Sequence, residues 1–137
     1  MLRGISVLGV LLAVGVGAGL FVAADRPASI KEIMARAHKP KKGLRDQVAA
    51  EAARDNPDWV EVQRLSKELV TLAQALGRCT PPQGEPGSWA KLTEGYLQTA
   101  KALDAAAGQK DAQAVLAANR RLGASCTECH TRHRPED

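Results

Sequence analysis

Cys126, Cys129 and His130, in the run Cys126-Thr127-Glu128-Cys129-His130, are the residues whose types and spacing point to the most specific chemistry in this chain. On a helix they stand at i, i+3 and i+4, so both sulfurs and the imidazole project from one face. Two thiols one turn apart suit thioether formation with the two vinyl groups on one porphyrin edge, and the adjacent imidazole can reach the iron as an axial ligand. The spacing is that of a covalent c-type haem attachment site. One haem c, held through Cys126 and Cys129 with iron on His130, is the expected cofactor.

Two other chemistries use the same residue types. A thioredoxin-like dithiol belongs after a strand in a βαβ setting, and the sequence carries no strand pattern. Zinc is the sharper rival, because His133 extends the helical face to four ligands, enough for a closed tetrahedron. Closed zinc sites, however, usually draw ligands from two separated segments rather than one two-turn stripe.

The elements that position these residues read as helices throughout. Ser29-Ile30-Lys31-Glu32 is a capping box, so a first helix starts near Ile30 with Ile30, Ile33, Met34 and Ala37 on its apolar face. Pro40 interrupts it, and Leu44, Val48 and Ala52 resume the stripe, in either one kinked helix or two pieces. After Asp55-Asn56-Pro57, with Pro57 suited to a first helical position, Val62, Leu65, Leu69, Leu72 and Leu76 step by three and four as far as Gly77. A loop is expected from Arg78 to Gly87, and then a helix capped by Ser88 with Trp89, Leu92, Tyr96, Ala100, Leu103 and Ala107 on one face. Asp111 opens a last helix that carries Val115, Ala118, Leu122 and the Cys-x-x-Cys-His run and is closed by Pro135. The expected fold is all-α, an antiparallel four-helix bundle with the attachment motif in its last helix.

The chain begins with Met1-Leu2-Arg3 and an apolar run from Ile5 to Ala24, ending in the small residues Val22-Ala23-Ala24. Residues 1–24 are expected to be an export signal cut before Asp25, or else a retained membrane anchor, with residues 25–137 as one domain. Export agrees with covalent haem attachment, which belongs outside the bacterial cytoplasmic membrane. A periplasmic protein, or one tethered to that membrane, is therefore expected. The formal charge of +4 falls to +3 without Arg3, and there is no long basic stripe with interleaved aromatics, so nucleic-acid binding is not implied. Past residue 24 the aromatics are Trp59, Trp89 and Tyr96 in an alanine-rich chain. A large flat apolar cofactor would supply the core that such side chains lack.

Four helices with Cys-x-x-Cys-His in the last one resemble the class II cytochromes c, the cytochrome c′ family, whereas class I cytochromes carry the motif near the N-terminus. Arg134 matches the basic residue four places after the family's histidine. The resemblance implies a haem inside a left-handed bundle, His130 as proximal ligand, Arg134 beside the cofactor, and often a homodimer. It also sets a fork at the sixth iron position. One branch leaves that position empty and binds nitric oxide or carbon monoxide; a low-spin branch places a first-helix methionine there and carries electrons. Met34, in Lys31-Glu32-Ile33-Met34-Ala35-Arg36, resembles the low-spin pattern, with core filling and a bis-histidine arrangement through His38 as alternatives.

Around these residues His38 is expected as a solvated loop residue. His133, Arg132 and Arg134 are expected either to meet propionates or an acidic partner, or to form a solvated basic helix end. Lys39, Lys41 and Lys42 read as a solvated turn or a docking patch, and Cys79 as an unpaired loop thiol or an intermolecular disulfide. No nucleophile with a paired base, phosphate loop or acidic pair for hydrolysis is present, so enzyme activity is not indicated. The expected function is monohaem electron transfer with redox partner proteins.

Overall fold

Ser29 opens the first helix as a reciprocal cap. In the computed structural model, which describes residues 26–135, its Oγ accepts from the Glu32 amide while Glu32 Oε2 accepts from the Ser29 amide at 2.8 Å. This helix, α1 (Ile30–His38), ends at Lys39, because a residue before proline is driven out of the helical region. After a turn with Lys41 at φ 63°, α2 (Leu44–Ala52) begins, so Pro40 produces two pieces rather than one kinked helix. Gly43 caps α2 at an ordinary extended φ, but it lies hard against the backbone of Ala37, His38 and Lys39.

The third helix, α3 (Trp59–Arg78), is capped by Asp58, whose carboxylate accepts from the amides of Val60 and Glu61. Pro57 therefore lies outside the helix instead of at its first position. Val62, Leu65, Leu69 and Leu76 are buried as their spacing requires, whereas Leu72 is only half-buried and Ala73 takes the inward place. A strict three-four step drifts around a helix of 3.6 residues per turn, which explains the exchange.

The fourth helix, α4 (Pro86–Gly108), starts earlier than its serine suggests, with Glu85 at the cap and Pro86 at the first position. Ser88 thus sits inside the first turn, and its hydroxyl is used elsewhere. Asp111 caps α5 (Ala112–Ala124) through the Ala114 amide at 3.0 Å. The expected single last helix is broken at Ser125, whose hydroxyl turns back to the Leu122 carbonyl at 2.7 Å. The remainder is α6 (Cys126–His133), which ends at Arg134 ahead of Pro135.

The described residues form an all-α fold of six helical segments with no strand. The largest packed surface is between α3 and α4, and α5 packs on α4 and α2. The side chains of Val48, Val62, Leu65, Leu69, Leu103, Val115 and Leu122 fill the centre, and Ala100, Ala107 and Ala118 let backbones come close. One polar tie crosses this core: Ser66, fully buried, donates to Asp104 Oδ1 at 2.6 Å. The leader expected over residues 1–24, with its cut before Asp25, lies outside the described residues. Among the described residues no helix is long and apolar enough to cross a membrane.

Candidate cofactor site

The backbone of α1 packs on α2 and α3 but nowhere comes within packing distance of α4 or α6. The space between them is a cavity of about 950 Å³, at the upper end of the range for small-molecule and cofactor sites. Met34 and His38 line it from α1, Leu76 and Cys79 from the end of α3, and Trp89, Leu92 and Tyr96 from α4. Cys126, Cys129, His130 and Arg134 line it from the opposite side. All five residues singled out by the sequence as haem contacts thus border one cavity. The wall is built by the helix face Trp89-Leu92-Tyr96, which the sequence marked only as core; its apolar spacing was the available signal.

The motif's thiols are half-buried and unpaired. Burial, followed by the neighbouring Cys126 and Glu128, pushes the Cys129 thiol above its usual range and keeps it protonated. A disulfide-exchange site needs the opposite, a thiol lowered towards neutrality. Zinc fares no better. Among the described residues no group of three or more His, Cys, Asp or Glu side chains is placed to hold a metal ion. His133, the fourth ligand that reading needs, is buried with both ring nitrogens engaged, Nδ1 at Gln83 and Nε2 at Ser88.

His38 departs from its expected solvated loop place, and His133 from the solvated helix end that is one of its two expected readings. His133 is a buried member of the α6 end, and His38 is half-buried in the cavity wall, its Nε2 2.8 Å from the Tyr96 hydroxyl. Burial, then the charges of Arg45 and His130, holds His38 below its ordinary pKa of 6.5. Burial likewise holds the Tyr96 hydroxyl protonated, pushing its pKa up. His38 Nδ1 is buried and has no hydrogen-bond partner within the protein. Cys79 is a half-buried free thiol at the C-cap of α3; its Sγ is 3.4 Å from the Ala75 carbonyl. Lys39, Lys41 and Lys42 are exposed on the turn after α1.

These features suit a haem. The attachment residues share one side of a largely apolar cavity, a thioether and an imidazole border it from α1, and the uncompensated His38 Nδ1 is a buried polar atom at its wall. Comparison with protein-family models, characterised proteins and solved structures finds no match for the chain.

Proposed function

We propose that this chain is a monohaem c-type cytochrome that carries electrons outside the cytoplasmic membrane, exchanging them with redox partner proteins. In this reading α1 with α2, α3, α4, and α5 with α6 make the four members of an antiparallel bundle. Residues 1–24 direct export and are either removed or kept as an anchor. The observation that carries the proposal is that Cys126, Cys129 and His130 open onto the same cavity as Met34, which lies on a different helix.

The haem, when bound, supplies a one-electron couple at its iron. The chain's own residues supply the rest. Cys126 and Cys129 would hold the cofactor covalently, His130 would ligate it from α6, and Met34 would offer a thioether from α1. The α4 wall of Trp89, Leu92 and Tyr96 keeps water away, and Arg134 brings positive charge to the rim, suited to a propionate. A thioether among the haem's ligands would favour a higher potential. A second reading, a gas-binding protein with the sixth position empty, draws support from the His38–Tyr96 pair. That pair would put a hydrogen-bonding group beside a bound diatomic.

The experiment has two stages. Denatured protein run on a gel should keep haem-dependent peroxidase staining, and its mass should equal the mature chain, with residues 1–24 removed or kept, plus one haem; haem lost to acidic organic solvent would refute covalent attachment. The absorption spectrum should then be low-spin in both oxidation states. Met34→Ala should turn the reduced form high-spin and speed carbon monoxide binding, while His38→Ala should leave the spectrum unchanged. A parent protein already high-spin and fast with carbon monoxide would replace electron transfer by gas binding. A low-spin Met34→Ala that loses that state only with His38 also removed would assign the sixth position to His38.

A further inference from the structure

The helix that bears the attachment motif is short and lightly held. Among the described residues α6 packs on α4 and α5 and on no other helix, and at eight residues it is too short to be stable by itself. Its polar ties to the rest of the fold gather at its last turn. His133, 2 % exposed, sets Nδ1 2.9 Å from the Gln83 carbonyl and Nε2 3.1 Å from Ser88 Oγ. A carbonyl only accepts, so Nδ1 carries the hydrogen and donates it.

The link between α3 and α4 answers this grip. Gln83 Nε2 donates to the Arg134 carbonyl at 2.7 Å. The Trp89 ring meets the His133 ring edge-on, with centroids 5.3 Å apart, and the indole N–H donates to the Cys79 carbonyl at 2.8 Å. Gly84, at φ 85°, brings the link's backbone against the imidazole: a Cβ there would stand 2.6 Å from the Arg132 carbonyl and 2.8 Å from His133 Cε1. Only glycine tolerates both the angle and the approach.

We propose that His133 is the positioning residue of the attachment helix. Bound to the α3–α4 link, it fixes the rotation of α6 so that Cys126, Cys129 and His130 face the cavity before any cofactor is joined. The inference rests on the haem reading above and gives His133 a role distinct from ligation. By spacing it shares the motif's face, but its ring is committed to Gln83 and Ser88.

The test uses the full chain free of haem and measures amide exchange across residues 126–133. His133→Leu should speed exchange there by roughly tenfold or more, since a buried carbonyl loses its donor, while amides in the α3–α4 core keep their protection. His133→Asn should recover most of the protection, because its side-chain NH2 can still donate to Gln83. Gly84→Ala, which leaves α6 untouched in sequence, should reproduce the loss. In cells that attach haem, the fraction of His133→Leu chain that stains should fall by about threefold or more. Exchange within about twofold of the parent in both His133→Leu and Gly84→Ala would overturn the proposal, as would equal exchange in the Leu and Asn variants. If His133→Leu does not fold, Ser88→Ala and Gly84→Ala carry the comparison. A parent chain that never stains refutes the haem reading and takes the proposal with it; unchanged exchange in a chain that does stain refutes the proposal alone.

Discussion

Gly43→Ala and Gly95→Ala make the same chemical change and should shift stability in opposite directions. At Gly43 the backbone angles suit any residue, so the cost is spatial. A Cβ would stand 2.7 Å from the Ala37 carbonyl and the Lys39 amide nitrogen, and 2.8 Å from the His38 amide nitrogen. All three are backbone atoms of the turn that ends α1, and none can rotate away as a side chain would. Overpacking of this kind costs about 1–3 kcal/mol, and alanine is also a poor cap for α2. Reduced freedom of the unfolded chain returns about 0.4–1 kcal/mol. The net expectation is a loss of roughly 2 kcal/mol, or a melting temperature lower by about 8 °C for a domain of this size. Gly95, in the middle of α4, has nothing within 4 Å of its added methyl. There the helix propensity of alanine should add about 1 kcal/mol, or roughly 4 °C. Thermal unfolding of the full chain, followed by circular dichroism at the helical band, compares the three proteins directly. Equal melting temperatures for Gly43→Ala and the parent would show that the α1–α2 turn yields freely.

The remaining expectations concern pH. Because the folded protein holds His38 below 6.5, the unfolded state takes up a proton first as pH falls; the stability this residue contributes is fully present above about pH 6.5 and lost below it. His38→Gln should flatten the dependence of the urea midpoint on pH between about 7 and 5, and an unchanged slope would show that the buried ring is not its source. The capping carboxylate Glu32, held at about 2 by Arg26 and then by Ser29 against an ordinary 4.5, acts in a more acidic window. Its contribution is present above about pH 4.5 and disappears towards pH 2, so Glu32→Gln should be less stable than the parent at neutrality and equal to it at the acid end. A gap that persists at that end would mean the glutamine disturbs α1 in some other way.

Local chemistry was legible in the sequence, and long-range contact was not. The Ser29–Glu32 box, the break at Pro40 and the Asp111 cap each depend on neighbours within a few residues, and each stands as read. The Cys126, Cys129 and His130 spacing is equally local. Pro86 outweighed Ser88 at the start of α4 because a proline's fixed φ favours the first helical position. The hydroxyl this leaves unused is bonded 45 residues away, to His133. His38, read as a solvated loop residue, is half-buried against Tyr96, 58 positions distant, and His133, open between a propionate or partner contact and a solvated helix end, is buried against Gln83, 50 positions distant. No periodicity in α1 or α6 encodes such partners, and a histidine beside charged neighbours gives no other sign of burial. Gly84 was similarly hidden: a glycine in a proline-rich link reads as generic turn chemistry until the imidazole it accommodates is known.

The cavity's walls are assigned to the chain in an order that matters during synthesis. Translation proceeds from the N-terminus at about 5–20 residues per second, so Met34, His38, Trp89 and Tyr96 all leave the ribosome before Cys126 and Cys129. The two thiols are thus made after the apolar side chains of α1 and α4 that share their cavity. A nascent chain has no interval in which finished thiols wait for an unmade wall. Whenever the chain folds, the thiol pair is delivered behind the walls on α1 and α4 and never ahead of them.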